Sequence, residues 1–404
     1  MQSTRISKDS TLLYNSSKIL ALSSTYPVEI YTMFLLSLSD LGKIQFGTIM
    51  ILSLIFSMFI DPFLGKIIDS FPRKRLIEML QTISILFEMF SLLLWHFHIM
   101  QRMLVLSVLL IYINVSSSVY FDMMRALLQT ISHQTAYLRM NGIAEASGQF
   151  PSLLGSAIAV PALLLIGPQG SLALAIIIQI ISLLFISLIE ENFTPEKSLR
   201  DKKIKHNGVL SMIRRYPKQT FLIYFLNFPF IMIIVGNLLK PVFIVNVIHG
   251  NVSYISFSEM DYAAFAALTG LAISMFPRGN ELANSFIFFA IYTAALLLMP
   301  FSSNFIFFMI FQSLHGIGNP GTRINRNSFV MKHVPMEMLG RFSSGVSFLS
   351  TITMMTILIA VTLEINSTSI IFIFLALGTL SVAAMIMAFL LKQKTAMTMF
   401  STDV

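Results

Sequence analysis

The stretch from Ala146 to Ile189 holds neither an acid nor a base, as does the stretch from Leu282 to Thr322. A helix crosses the hydrocarbon core of a bilayer in about 20 residues at 1.5 Å each. Each stretch is therefore about twice as long as one crossing needs. Each also carries a turn signal near its middle, Gly167-Pro168-Gln169-Gly170 in the first and Pro300-Phe301-Ser302-Ser303-Asn304 in the second. Both are expected to be helical hairpins inside a membrane. Composition agrees: 11% of residues are charged and 55% hydrophobic, with a mean hydropathy of +0.79. A soluble domain carries about 25% charged residues.

The same reading along the chain predicts an all-α polytopic membrane protein with twelve spans. They fall at 17–39, 46–68, 77–98, 103–124, 143–166, 170–189, 220–247, 257–276, 284–302, 304–320, 343–363 and 368–391. The one long polar stretch, 190–219, is rich in Lys and Arg and reads as a cytoplasmic linker, part of it suited to anionic headgroups. It separates a six-helix bundle, 1–189, from a second, 220–404. With the N-terminus in the cytoplasm, all but three of the 27 bases (Lys43, Arg102 and Lys240) fall on the cytoplasmic side, the bias that sets orientation. Both termini are then cytoplasmic.

The formal charge of +8 is thus a topology signal, and no nucleic-acid partner is expected. The chain has no Cys, which removes disulfides, thiolate metal sites and iron–sulfur clusters. No phosphate-binding Gly loop, nucleophile elbow or metal-ligand cluster stands in the sequence. Enzyme chemistry, ATP-driven work, cofactors and a metal site are not expected. Nor does any pair of spans carry the filter or charge ring of a channel.

An internal repeat links the halves. Gly65, Ile68, Phe71, Pro72 and Arg73 recur as Gly270, Ile273, Phe276, Pro277 and Arg278, each set at the end of the second span of its half. Parallel six-helix repeats are one common transporter plan. Gly65-x-x-x-Asp69-x-x-x-Arg73-Lys74 resembles the Gly-x-x-x-Asp-Arg-x-Gly-Arg-Arg loop of the major facilitator superfamily, with Ser70 and Pro72 replacing the usual Arg and second Gly. Gly316-x-Gly318-Asn-Pro-Gly followed by Val334-Pro335 and Leu339-Gly340-Arg341-Phe342-Ser343 resembles the loop 10–11 signature of macrolide-efflux and enterobactin-exporter-like members. Ile255-Ser-Phe-Ser-Glu259, Asn141-Gly142 and Gly155 with Pro161 are similar to their spans 8 and 5. The Arg usual in span 4 is absent, with Asn114 near its place.

The resemblance implies a proton-driven exporter in the inner membrane of a bacterium, working as a monomer. Its two halves would rock around a midplane site formed by spans 1, 4, 7 and 10. The substrates would be amphipathic antibiotics, siderophores or small antimicrobial peptides. A solute importer of the same fold, and a membrane receptor or immunity protein that sequesters a toxin, are the alternatives.

Acids inside a membrane are functional candidates by default. Glu29 sits mid-span 1 with Thr25, Tyr26 and Thr32 on its face. It reads either as the carboxylate that exchanges a proton or as a neutral acid in a structural hydrogen bond. Lys240 in span 7, with Asn227 and Asn237 on the same helix, either receives an anionic group or snorkels to the interface. His315 in span 10 is a cavity candidate or a satisfied buried His. With Tyr26 and Asn114 these make up the candidate cavity. Asp61, Gly65, Asp69, Arg73, Arg75, Gly270, Arg278 and Arg341 make up the candidate cytoplasmic gate. Glu88 reads as an interhelical bond, and Glu259 and Asp261 as solvated residues near the outer mouth.

Overall fold

The computed structural model describes residues 8–129, 137–189, 214–277, 279–334 and 336–395. Among them all regular structure is helical, and no strand occurs. The helices are α1 (Lys8–Ser23), α2 (Tyr26–Ser37), α3 (Asp40–Ser70), α4 (Arg73–His96), α5 (Arg102–Gln129) and α6 (Tyr137–Ser187). After the polar stretch come α7 (Pro217–Phe225), α8 (Phe228–Asn246), α9 (Val252–Met275), α10 (Glu281–Leu298), α11 (Phe305–His333), α12 (Met336–Glu364) and α13 (Ile370–Thr395). Most of the basic linker, 190–213, lies outside the described residues.

Among the described residues nine helical segments are long and apolar enough to cross a membrane. One of them, Asn141–Ser187, is two crossings, because Gly167 leaves the helical region at φ +70° and ψ 177°. A left-handed φ is open to Gly at little cost, and this is the turn the sequence marks. Two further helices, α9 with 24 residues and α11 with 29, are long enough but too polar to count among the nine. The total agrees with the twelve spans read from the sequence, and the protein is a multi-pass membrane protein.

The boundaries correct that reading in three places. Span 1 is two helices, α1 and α2, and span 7 is two helices, α7 and α8. One cause accounts for both breaks. Pro has no N–H to give the carbonyl four residues earlier. Pro27 leaves the Ser23 carbonyl without its helical partner, and α1 ends at Ser23; Pro229 does the same to Phe225, and α7 ends there. The aromatic-Pro pairs Tyr26-Pro27 and Phe228-Pro229 are therefore a second internal repeat. The third correction is to span 10, which does not end at 320: α11 continues to His333.

The chain divides into two compact units, residues 1–134 with 151–203, and residues 135–150 with 204–404. In the first unit one apolar cluster gathers Tyr14, Leu76, Ile77, Tyr120, Met124 and Ile186, and another gathers Val28, Trp95, Leu106, Leu109 and Leu172. A buried polar set ties three helices: Gln81 donates to Ser182 Oγ at 2.8 Å, and Ser17 Oγ to the Ser182 carbonyl at 2.9 Å. Exposed Leu, Ile and Phe cover the outer faces, which suits lipid as the solvent.

In the second unit α11 is the central helix, and its glycines explain how. A Cβ on Gly316 would stand 2.7 Å from the Tyr262 carbonyl oxygen of α9, and one on Gly318 would stand 2.6 Å from the Tyr292 amide of α10. The Gly-x-Gly-Asn-Pro-Gly motif is thus inside a helix rather than in a loop, where it lets two neighbours approach closely.

Candidate functional site

In the first unit the break in span 1 positions Glu29. The carboxylate stands in the first turn of α2, half-buried, and the Thr25 hydroxyl donates to it. Glu88 on α4 is fully buried and accepts from Gln179 Nε2 of α6 at 2.5 Å, the interhelical bond expected of it. The two acids lie within electrostatic reach of each other. Tyr26 packs its ring on Gly155, where a Cβ would meet it at 2.6 Å. Asn114 donates to Ser53 Oγ at 3.3 Å.

The sequence-derived gate is only partly described. Arg278 and the side-chain surroundings of Asp61, Gly65 and Asp69 lie outside the described residues. Arg73 is half-buried, Arg75 exposed and Arg341 half-buried. Lys74 of this loop donates to the Ser187 and Ile189 carbonyls at 2.7 and 2.6 Å. It caps the last carbonyls of α6, where a cation is favoured. Gly270 makes a backbone crossing: a Cβ there would stand 2.6 Å from the Gly142 carbonyl oxygen.

The second unit holds a polar column along α11. His315, Asn319, Arg323 and Arg326 follow at helical spacing and so share a face. Lys240 is buried at 2% exposure and pairs with Glu259 at 3.4 Å, with its ammonium 5.5 Å from the Tyr262 ring centroid. It neither snorkels nor stands alone. Glu259 and Asp261 are not simply solvated, since Asp261 accepts from Ser313 Oγ at 2.9 and 3.0 Å. Asn319 Nδ2 donates to the Tyr262 hydroxyl at 2.7 Å. His315 stacks on Tyr292 with ring centroids 4.7 Å apart, and neither of its ring nitrogens is hydrogen-bonded among the described residues. Asn237 is half-buried on α8, three residues before Lys240.

Two charged members of this column, Arg323 and Arg326, and the Glu145 partner on α6 were not foreseen. Arg323 forms a two-pronged pair with Glu145 of α6, its Nε donating to Oε2 at 2.9 Å and its Nη2 to Oε1. Arg326 donates to the Asn227 side-chain oxygen, and Asn227 Nδ2 in turn donates to Ser350 Oγ of α12 at 2.7 Å. Asn227 stands at the break of span 7, immediately before α8. A signal for these residues does exist: Gln312, His315, Asn319, Arg323 and Arg326 form a polar stripe at three- and four-residue spacing. A long membrane helix with one polar stripe is built to line something.

Helices broken inside a membrane, with paired charges beside the breaks, belong to transporters more than to passive anchors. The chain is a member of the major facilitator superfamily, whose family model matches residues 19–355. It is a membrane transporter and not an enzyme. No curated protein matches the sequence. Similar solved structures include the human organic anion transporter MFSD10 (TETRAN), at 13% identity and TM-score 0.62 over 95% of this chain and 97% of that one. A POT family transporter in complex with 5-aminolevulinic acid is similar at 12% identity and TM-score 0.67, over 95% and 96%. A bacterial homologue of the iron transporter ferroportin, in an outward-facing state, is similar at 16% identity and TM-score 0.59, over 96% and 99%. At such identities the likeness shows the fold alone.

Proposed function

We propose that this transporter is a proton-coupled exporter in a bacterial inner membrane. It would expel an amphipathic antimicrobial compound, namely a drug, a siderophore or a peptide antibiotic such as microcin C, and so confer resistance or self-immunity. The observation that carries the proton arm is Glu29: an acid in the first turn after a helix break, half-buried and held by Thr25. A carboxyl group at such a point exchanges a proton readily, because the break brings polar backbone and water to membrane depth. The export arm rests on the resemblance of Gly316-x-Gly318-Asn-Pro-Gly and its downstream residues to macrolide-efflux and enterobactin-exporter-like proteins.

The substrate cavity is assigned to Tyr26, Asn114, Asn227, Asn237, Lys240 and His315. Asp61, Gly65, Asp69, Arg73, Arg75, Gly270, Arg278 and Arg341 are assigned to the cytoplasmic gate. Inverted membrane vesicles energised by respiration test the direction and the driving force together. A labelled macrolide, catechol siderophore or peptide antibiotic accumulates inside them and leaves on addition of a protonophore. Uptake by right-side-out cells in its place would establish an importer. Binding without accumulation in either orientation would establish a sequestering receptor.

A further inference from the structure

Three basic side chains line the interior of the second unit, and two of them are matched by acids. Lys240 has Glu259, and Arg323 has Glu145. Arg326 has no carboxylate partner among the described residues. Its Nη1 donates to the Asn227 side-chain oxygen, and its Nε and Nη2 donate to the Asn327 side-chain oxygen at 3.3 and 2.9 Å. An amide oxygen is a weaker acceptor than a carboxylate, and a half-buried cation without a counter-charge is disfavoured.

The surroundings sharpen the mismatch. Asn227 immediately precedes α8, and its carbonyl accepts the N–H groups of Phe230 and Ile231. The first turn of α8 contains no acid. Arg323 lies over Phe230 in the same turn, 5.8 Å from the ring centroid. Two guanidinium groups therefore converge on the start of α8, and Glu145 neutralises only one of them. Asp261 is too distant to serve: its partner Ser313 precedes Arg326 on α11 by about 20 Å along the helix axis.

We infer that Arg326 is the receptor for an oxyanion, a carboxylate or phosphate group carried by the transported solute. Asn227 and Asn327 hold the guanidinium in place between arrivals. The planar fork of Arg takes two oxygens of such a group at once. A lipid headgroup offers this chemistry too; the assignment to a solute rests on the transport reading above.

The test uses the full chain in phosphatidylcholine nanodiscs, with unfolding temperature followed against inorganic phosphate and benzoate at constant ionic strength. Wild type is expected to show a saturable rise. Arg326→Gln removes the rise, and Arg326→Lys shifts it to about tenfold higher concentration. Asn227→Asp builds a carboxylate beside Arg326; it raises the anion-free unfolding temperature and abolishes the response, so the test holds even if Arg326→Gln does not fold. A wild type with no saturable rise, or a rise that survives in Asn227→Asp, overturns the inference. A rise that vanishes when phosphatidylglycerol is added to the nanodiscs gives the site to lipid and overturns the solute assignment. Anion binding that persists in a protein unable to move protons would refute the proton-coupled reading and leave this one standing.

Discussion

Arg323 and Glu145 hold each other through two parallel hydrogen bonds, although 178 residues separate them in the chain. The pair fastens the first turns of α6 to α11 within one compact unit. Asn141, one helical turn before Glu145, adds a bond to Ser328 Oγ at 3.0 Å. The Arg323 and Glu145 side chains keep 24% and 10% of their exposure, which places the pair between surface and core. Glu145→Gln is predicted to lower stability by about 2 kcal/mol, read as a loss of unfolding temperature in detergent. Glu145→Arg with Arg323→Glu should recover part of that loss, and a double variant no better than either single one would count against a direct pair.

Lys240 and Glu259 form an unequal couple, since Lys240 is sealed at 3% side-chain exposure while Glu259 retains 22%. Removing Glu259 strands a cation in the interior. Removing Lys240 strands an acid that still reaches water. Glu259→Gln should therefore cost about 3 kcal/mol and Lys240→Met about 1, with the double variant close to wild type. Thermal unfolding of the three variants checks the order, and equal losses for the two single variants would contradict it.

Glycine packing supplies a third prediction with a built-in control. A Cβ on Gly270 meets the Gly142 carbonyl oxygen at 2.6 Å, whereas one on Gly236 meets nothing within 4 Å. Gly270→Ala should destabilise by about 1–3 kcal/mol through forced separation of two helices. Gly236→Ala, inside α8, should stabilise by about 0.5–1 kcal/mol through helix propensity. The two changes are chemically identical, so opposite signs in the same unfolding assay isolate the crossing. A stable Gly270→Ala protein would show that the two backbones are not in close approach.

The membrane fold and its hairpins were legible because charge-free runs of known length have few places to go but lipid. The breaks at Pro27 and Pro229 were not, since a membrane helix tolerates Pro and hydropathy does not register it. Counting back four residues from each Pro would have located the ends of α1 and α7. The lower half of α11 was lost for a different reason: the apolar run ends at Arg323, and a span estimate ends with it. What allows that Arg to sit on a long buried-core helix is Glu145, contributed by a distant part of the chain. Spacing within one helix can show a polar stripe, but it cannot show the partner that neutralises it. Glu29 stands out in the sequence as a lone acid in an apolar run, whereas the helix break beside it does not.

Glu29 as proton carrier is the claim on which the transport cycle turns. The direct measurement is proton release from inverted, acidified vesicles when a substrate that accumulates in them is added. Wild type should release protons in proportion to the substrate taken up. Glu29→Gln should still bind substrate but release none, and Glu29→Asp should release protons at a reduced rate. Undiminished release from Glu29→Gln would contradict the account and move the coupling to another acid.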